Sequence, residues 1–296
     1  MKDVSIIIVN YNTSVLIKNL LQTIEEKTEG ISYEVIVVDN NPTEQFYLDL
    51  KDYLEKIIYL PLKENVGFGR ANNEGLKVAK GRNIFFLNPD TLLINNAIKI
   101  LSDYLDSYEQ VGVCGGNLYE ASLQPMHSFV RVLPSFLWDF NSLMLGIPFR
   151  ILYGRNFQHN YTEKPIEVGY ITGADMMVKR SVLNEVGGFD PDFFMYYEES
   201  ELSFRIKQTG KKIISLPYAK IIHLEGQSFE IKENRIKQIA ASQMIYDCKT
   251  NKSRFGFYFT YFIRVLSYRC KILTYSILRN QNMKNYWMLW LKGYKK

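Results

Sequence analysis

Asn83-Ile84-Phe85-Phe86-Leu87-Asn88-Pro89-Asp90 is the stretch that decides how the chain is read. Residues 83–87 have the length and apolar character of a buried strand. In open α/β sheets the carboxyl ends of the strands face the ligand crevice. Asp90 falls at such an end. It has no role in the ladder and costs free energy to desolvate, so it needs a cation or a polar ligand as partner. Hard cations such as Mg²⁺ or Mn²⁺ take oxygen ligands, often one or two carboxylates completed by substrate phosphates. Asn-Pro-Asp-Thr is also good turn and N-cap chemistry. The metal and turn readings both stand on these residues alone.

Upstream, strand and helix patterns alternate. Val4-Ser5-Ile6-Ile7-Ile8-Val9 is a β-branched run ending in Asn10-Tyr11-Asn12. Leu16, Leu20, Leu21 and Ile24 then repeat at helical spacing between about Thr13 and Glu26. Glu34-Val35-Ile36-Val37-Val38 is a second strand, ending at Asp39-Asn40-Asn41-Pro42. A helix pattern carrying Phe46, Leu50 and Leu54 leads to a third strand, Ile57-Ile58-Tyr59-Leu60. Asn65-Val66-Gly67-Phe68-Gly69 then opens a helix through Arg70, Asn73, Leu76 and Ala79. This alternation predicts parallel crossovers in a doubly wound sheet. It would bring Asn10-Tyr11, Asp39 and Asp90 to one crevice.

After Val111 the rhythm changes. Val111-Gly112-Val113-Cys114-Gly115-Gly116 predicts a strand with a tight bend. Ser128 to Glu163 has no clean period and reads as a long loop with short helices, of the kind that forms lids and binding loops. Gly169 to Val178 is strand-like. Ser181 to Val186 is a short helix stopped by Gly187-Gly188, and Glu198 to Thr209 a helix closed by Gly210. Lys212 to Leu216 is a last strand, followed by Ala219-Lys220-Ile221-Ile222-His223.

At 296 residues the chain can bury a full core and carry an appendage. Cys114, Cys248 and Cys270 are too widely spaced for a metal-ligand pattern or a disulfide framework, which points to a reducing compartment. Met1-Lys2-Asp3-Val4 lacks the regions of a signal peptide. No stretch reaches the roughly 18 apolar residues of a spanning helix. The net charge of +5 is uneven, because Cys248 to Lys296 holds no Asp or Glu and the Lys and Arg there outweigh the whole excess. That segment is also dense in aromatics, as in Phe255-Gly256-Phe257-Tyr258-Phe259, with Arg264, Lys271 and Arg279 at near-helical spacing and Trp287 and Trp290 near its end. Bases with aromatic anchors suit a membrane interface. Helices packed on the body or on a second subunit fit the same pattern.

Three groups carry chemistry. Gly67-Phe68-Gly69 is a weak dinucleotide signal, since it does not follow the first strand and Asn72 stands where a third glycine belongs. It reads either as a turn that lets Arg70 and Asn72 reach a phosphate or ribose, or as plain helix capping. Glu198-Glu199-Ser200-Glu201 follows the aromatic run Phe193-Phe194-Met195-Tyr196-Tyr197. Acids suit a first helical turn, and a carboxylate beside aromatic surface also tends toward a raised pKa and general-base work. His223 ends an apolar strand. It reads as structural by default, or as a ligand beside Asp90 for a phosphate-bound Mn²⁺ or Mg²⁺.

In order and spacing over about residues 4–228, these strings resemble glycosyltransferase family 2, in its bacterial rhamnosyltransferase-like branch. The matching segments are 4–12, Val37-Val38-Asp39-Asn40-Asn41, 65–73, Phe86 to Asp90, Gly187-Gly188-Phe189-Asp190 to Glu201, and His223. The resemblance implies a GT-A fold, a mostly parallel Rossmann-like sheet with flanking helices. It implies transfer of a sugar from a nucleotide diphosphate with inversion. It implies that Val9, Tyr11 and Asp39 contact the base, with Asn65, Gly67, Arg70, Asn72 and Asn88 completing the nucleotide site. Asn88-Pro89-Asp90 resembles the DxD motif, with Asp90 as its metal-binding acid and His223 completing the metal shell. Gly173-Ala174-Asp175 resembles the segment near donor sugar and acceptor. Glu199 stands where the family has the Asp that deprotonates the acceptor, with Glu198 as fallback. Two departures stand out: Asn88 replaces the first acid of DxD, and Glu199 and Glu201 each replace an Asp of the usual Glu-Asp-x-Asp string.

The expectation is therefore a metal-dependent (Mg²⁺ or Mn²⁺) inverting glycosyltransferase, rhamnose favoured, acting on a glycan or lipid-linked glycan in cell-surface polysaccharide synthesis. It would be cytoplasmic and peripheral on the inner face of the cell membrane, with a homodimer open and nucleic acid not expected. The alternative is a non-catalytic nucleotide-sugar-binding or partner subunit. The expected layout is a catalytic domain over 1–247, with a nucleotide-binding half to about 110 and an acceptor half over 111–247. A basic aromatic helical tail over 248–296 follows.

Overall fold

The computed structural model describes residues 2–224, 233–251 and 253–294. Residues 225–228, the end of the span that carries the resemblance, lie outside them. In chain order the elements are β1 (Val4–Asn10), α1 (Ser14–Lys27), β2 (Tyr33–Asp39), α2 (Glu44–Asp49), β3 (Ile58–Pro61), α3 (Phe68–Val78), β4 (Asn83–Leu87), β5 (Thr91–Leu93) and α4 (Ala97–Ser107). Next come β6 (Val111–Tyr119), β7 (Phe129–Val130), α5 (Phe136–Leu143), α6 (Ile147–Tyr153), β8 (Ile166–Glu167), β9 (Tyr170–Ile171), β10 (Asp175–Lys179), α7 (Arg180–Val186), α8 (Glu198–Gln208) and β11 (Lys212–His223). Helices α9 (Glu233–Thr250), α10 (Arg254–Ile277) and α11 (Gln281–Tyr294) close the chain.

The main sheet runs β3-β2-β1-β4-β10-β6-β11-β5, with β8 beside β11. Its first four strands are parallel, as the strand–helix alternation requires. Beyond β4 the sheet is mixed, because β10 runs antiparallel to both of its neighbours. β1 is buried along its whole length, the signature of a strand covered on both faces. Ile6 and Ile8 pack with Leu20, Ile24, Phe85 and Leu101 on one side. Ile7 packs with Ile36, Phe86, Ala71, Leu202 and Ile206 on the other. Removing a ring such as Phe86, fully buried, would cost about 3–5 kcal/mol.

The bend expected at Gly115-Gly116 is absent, since β6 is one strand through Tyr119. Its glycines serve close approach instead: a Cβ on Gly116 would lie 2.5 Å from the Ala219 carbonyl oxygen of the neighbouring strand. The strand pattern over 169–178 divides in two. β9 pairs with β7 in a small ribbon, and β10 enters the main sheet. β11 joins the two expected apolar segments into one strand, with a register shift between Ser215 and Lys220.

The C-terminal helices begin before Cys248, inside α9. Arg264, counted among the recurring bases of the tail, is 1 % exposed. Its Nη2 lies 2.9 Å from Asp139 Oδ2 on α5, and its Nη1 engages Asp247 on α9. Tyr294 on α11 donates to Asp247 at 2.6 Å. Ala240, Val265, Tyr268 and Tyr294 form a small core with Trp287 and Trp290 against it. Lys271 lies 3.8 Å over the Trp287 ring.

Candidate active site

The crevice lies at the carboxyl ends of β1, β2 and β4, where loops from both halves of the sheet meet. Asp39 ends β2 and is fully buried. Its Oδ1 accepts from the Asn10 amide at 2.7 Å and its Oδ2 from the Tyr59 hydroxyl at 2.8 Å. Burial and this bond push the Tyr59 hydroxyl well up, so it stays a donor and holds the carboxylate in place. Val9 is buried beside this network, whereas the Tyr11 ring is half exposed at the mouth, where a planar base can stack.

The Gly67 turn is built by neighbouring amides. The Asn40 side chain donates to Asn65 Oδ1 at 2.8 Å and accepts from the Val66 N–H at 2.9 Å. Asn65 Oδ1 also accepts from the Gly67 N–H at 3.0 Å. Gly67 has φ +90°, and a Cβ there would sit 2.3 Å from the Phe194 carbonyl oxygen. That carbonyl accepts from Phe68 N–H at 2.9 Å, tying the turn to the loop before α8. Arg70 Nε donates to the Pro191 carbonyl at 2.7 Å. Asn72 is buried and its amide bonds back to Phe68 at 3.1 Å within α3. In this state both side chains hold protein backbone.

Asp90 sits between β4 and the short edge strand β5, which the sequence pattern did not show. Thr91 pairs with His223 across β5 and β11, and the Leu224 N–H donates to the Asp90 carbonyl at 2.8 Å. This register places His223 Nε2 3.2 Å from Asp90 Oδ1, with the two side chains 12 % and 15 % exposed. The Asn88 N–H donates to the Ala174 carbonyl at 3.0 Å. Asn88 Oδ1 is buried without a hydrogen-bond partner among the described residues, so one more oxygen donor is left over beside Asp90. Gly173 lies against the Phe68 ring, joining this strand end to the Gly67 turn. Asp175 is fully buried and accepts from the Gly116 N–H at 2.6 Å. Its other oxygen has no partner among the described residues, and burial drives its pKa well up.

The acids of α8 divide by role. Glu201 is buried in an ion pair with Arg205, whose Nη2 lies 2.7 Å away. Arg205 also donates to the carbonyls of Val186 and Gly188 at 2.6 and 2.7 Å, so this pair clamps the Gly187-Gly188 turn. Glu198 is 4 % exposed, and its Oε2 has no partner among the described residues. Desolvation, reinforced by the charge of Glu199, lifts its pKa well above the carboxylate range. Glu199 is half-buried. Desolvation raises it to about 7, against backbone N–H bonds that favour the anion. Glu198 and Glu199 are thus two adjoining carboxyls whose burial disfavours the anion, Glu198 the more strongly.

Sequence reasoning missed two supports. Asn73 donates to the Phe189 carbonyl at 2.7 Å and accepts from the Phe189 N–H at 2.9 Å, bracketing the loop that leads to α8. Tyr196 and Tyr197 both adopt left-handed φ, 72° and 69°, a strained pair for bulky residues. Spacing carries no trace of either.

A twisted α/β sheet flanked by helices, with an Asp–His pair and buried carboxyls at its strand ends, has the architecture of the GT-A glycosyltransferases. Residues 5–187 match the family model described as glycosyl transferase family 2, and the chain belongs to that family. It is similar to the rhamnosyltransferase WbbL of Escherichia coli strain K12, 29 % identical over 243 residues, 74 % of this chain and 83 % of that protein. It is also similar to the N-acetylglucosaminyl-diphospho-decaprenol L-rhamnosyltransferase of Mycobacterium tuberculosis, 26 % identical over 246 residues, 75 % of this chain and 76 % of that protein. In fold it resembles the mannosyltransferase PcManGT from Pyrobaculum calidifontis in complex with GDP-Man and Mn²⁺. That likeness has a TM-score of 0.62 at 15 % identity and covers 99 % of this chain and 88 % of that one. The chain is a glycosyltransferase, and its rhamnosyltransferase relatives support sugar transfer in polysaccharide synthesis.

Proposed function

We propose that the chain transfers rhamnose from a nucleotide-diphosphate donor, with inversion, to a hydroxyl of a lipid-linked glycan. The observation that carries the reaction is the position of Glu199, a half-buried carboxylate with a pKa of about 7 at the start of α8, joined through Phe194 to the Gly67 turn. Tyr11 and Asp39 would hold the base. The turn at Asn65 and Gly67, with Arg70, Asn72 and Asn88, would face the ribose and diphosphate. Arg70 and Asn72 would exchange their present backbone partners to do so.

Asp90 and His223 fit a divalent cation as one hard oxygen and one imidazole nitrogen, with diphosphate oxygens completing the shell. No group of three or more His, Cys, Asp or Glu side chains gathers among the described residues. Such a cation, Mg²⁺ or Mn²⁺, would offset the charge that builds on the departing diphosphate.

Glu199 takes the acceptor hydroxyl proton as that oxygen bonds to the anomeric carbon. The bond to the diphosphate breaks on the opposite face, its electron pair leaving with the phosphate oxygen. One displacement inverts the centre, and no covalent nucleophile is needed. The rhamnose assignment is supported by the two relatives. The lipid-linked acceptor rests on the mycobacterial relative's name and would put the work at a membrane surface.

A thermal-shift screen of the full chain with dTDP-rhamnose, UDP-N-acetylglucosamine and GDP-mannose, with and without Mn²⁺, tests the donor. The true donor stabilises in proportion to its concentration over its dissociation constant. Equal shifts from all three would sink the rhamnose assignment.

A further inference from the structure

Helix α10 carries two opposite faces. Arg264 and Lys271, seven residues apart, point into the helical subdomain and its aromatic core. On the other side Phe255, Phe259, Phe262, Leu266, Leu273 and Ile277 are all exposed. Their spacing keeps them on one line, about 33 Å long at 1.5 Å per residue. Phe255 is 80 % exposed and Ile277 73 %. α5 extends this surface: its Phe136 ring meets Phe259 at 5.6 Å, and Phe136, Phe140 and Met144, at i, i+4 and i+8, are exposed as well. A folded chain rarely leaves an apolar patch of this extent to water.

We infer that the joined outer faces of α10 and α5 lie in the interface of an anionic lipid bilayer. The charge pattern selects this occupant. Arg269 is exposed beside the stripe and Arg254 and Arg279 are exposed at its two ends, and the sequence from Cys248 onward holds no Asp or Glu. A second copy docked stripe to stripe would bring these cations together with no acid to offset them. Anionic headgroups supply that offset, and long arginine side chains reach them while the apolar stripe sinks to the acyl boundary. No helix among the described residues is long and apolar enough to cross a membrane, so the face rests along the surface.

The same helix fixes the site relative to that surface. Arg264 ties α10 to α5 and α9. Gln243 of α9, with its amide turned to suit its neighbours, accepts from Arg264 and from the Tyr197 hydroxyl at 2.9 Å. Tyr197 is the residue from which α8 and Glu199 start. A lipid-anchored acceptor would thus meet the base in a set orientation.

The inference deepens the membrane part of the proposed function, and its test needs no transfer. The full chain is sedimented with phosphatidylglycerol-containing vesicles and with pure phosphatidylcholine vesicles. Phe255→Ser/Phe262→Ser/Leu273→Ser and Phe140→Ser/Met144→Ser variants are run beside it, with light scattering for mass. All five positions are exposed, so the Mn²⁺- and nucleotide-induced thermal shift should be retained. The expected result is binding to anionic vesicles, at least tenfold weaker in either variant and on phosphatidylcholine. The inference is overturned if the wild type stays in the supernatant, or if both variants bind as it does. It is equally overturned if the chain is a dimer that the α10 variant converts to monomer.

Discussion

His223 Nε2 lies 3.2 Å from Asp90 Oδ1, although the two are far apart in the sequence. The contact follows from register: once Thr91 pairs with His223, Asp90 and the end of β11 must share a corner. Replacing Asp90 with Ala should remove metal-dependent turnover, by about 100-fold or more, the cost typical of losing a group that stabilises transition-state charge. Asn88→Ala should lower it less. Initial rates titrated with Mn²⁺ separate the two, and equal losses would argue against Asp90 as the principal ligand.

The pKa of Glu199, about 7, sets the acid limb of activity. A general base works as the anion, so kcat/KM should rise with pH through about 7 and then level. The stability linkage has the opposite sign. A carboxylate raised in the folded state contributes stability that is present below its unfolded value and lost as pH climbs through the folded one. Glu199→Gln should abolish transfer, keep donor binding and flatten that part of the stability profile. A variant that keeps wild-type rates would reject Glu199 as the base, and Glu198→Gln would then be the informative comparison.

Much of this site was legible because parallel strands announce themselves. Short apolar runs leading to Asn10, Asp39 and Asp90 point to the carboxyl edge of one sheet. His223 was legible as a strand end and as a possible neighbour of Asp90, but the register that sets their contact needed β5, a strand of three residues too short to show a period. The tail was read as starting at Cys248, inside α9, and two of its bases at near-helical spacing, Arg264 and Lys271, face inward. Spacing finds a helical face without saying which way it turns. That choice was made by Asp139 and Asp247, acids on other helices that bury the Arg264 charge.

Arg264 should therefore be a stability residue. Its removal would leave Asp139 and Asp247 buried without their cation, and breaking a buried pair typically costs about 3–5 kcal/mol. Arg264→Ala should lower the denaturation midpoint and loosen α9 to α11. Arg264→Met combined with Asp139→Leu and Asp247→Leu should recover part of the loss, because an apolar replacement leaves no charge stranded. Denaturant unfolding of the single and triple variants decides it. A midpoint unchanged in Arg264→Ala would show that the cluster holds nothing together.

Gly67 is the sharpest backbone test. Its φ of +90°, and the Phe194 carbonyl oxygen only 2.3 Å from where a Cβ would sit, leave an L side chain neither a conformation nor space. That glycine-only backbone region alone costs another residue about 1–3 kcal/mol, and relief of the contact would push the Phe194 loop away from Phe68. Because that loop leads to Glu199, Gly67→Ala should raise the donor KM and lower kcat together, with a clear drop in melting temperature. Gly210 also has positive φ, +81°, but a Cβ there meets nothing within 4 Å. Gly210→Ala should therefore show the conformational cost in melting temperature with kinetics intact. Matched kinetic losses in the two variants would mean that the Gly67 turn does not couple to the base.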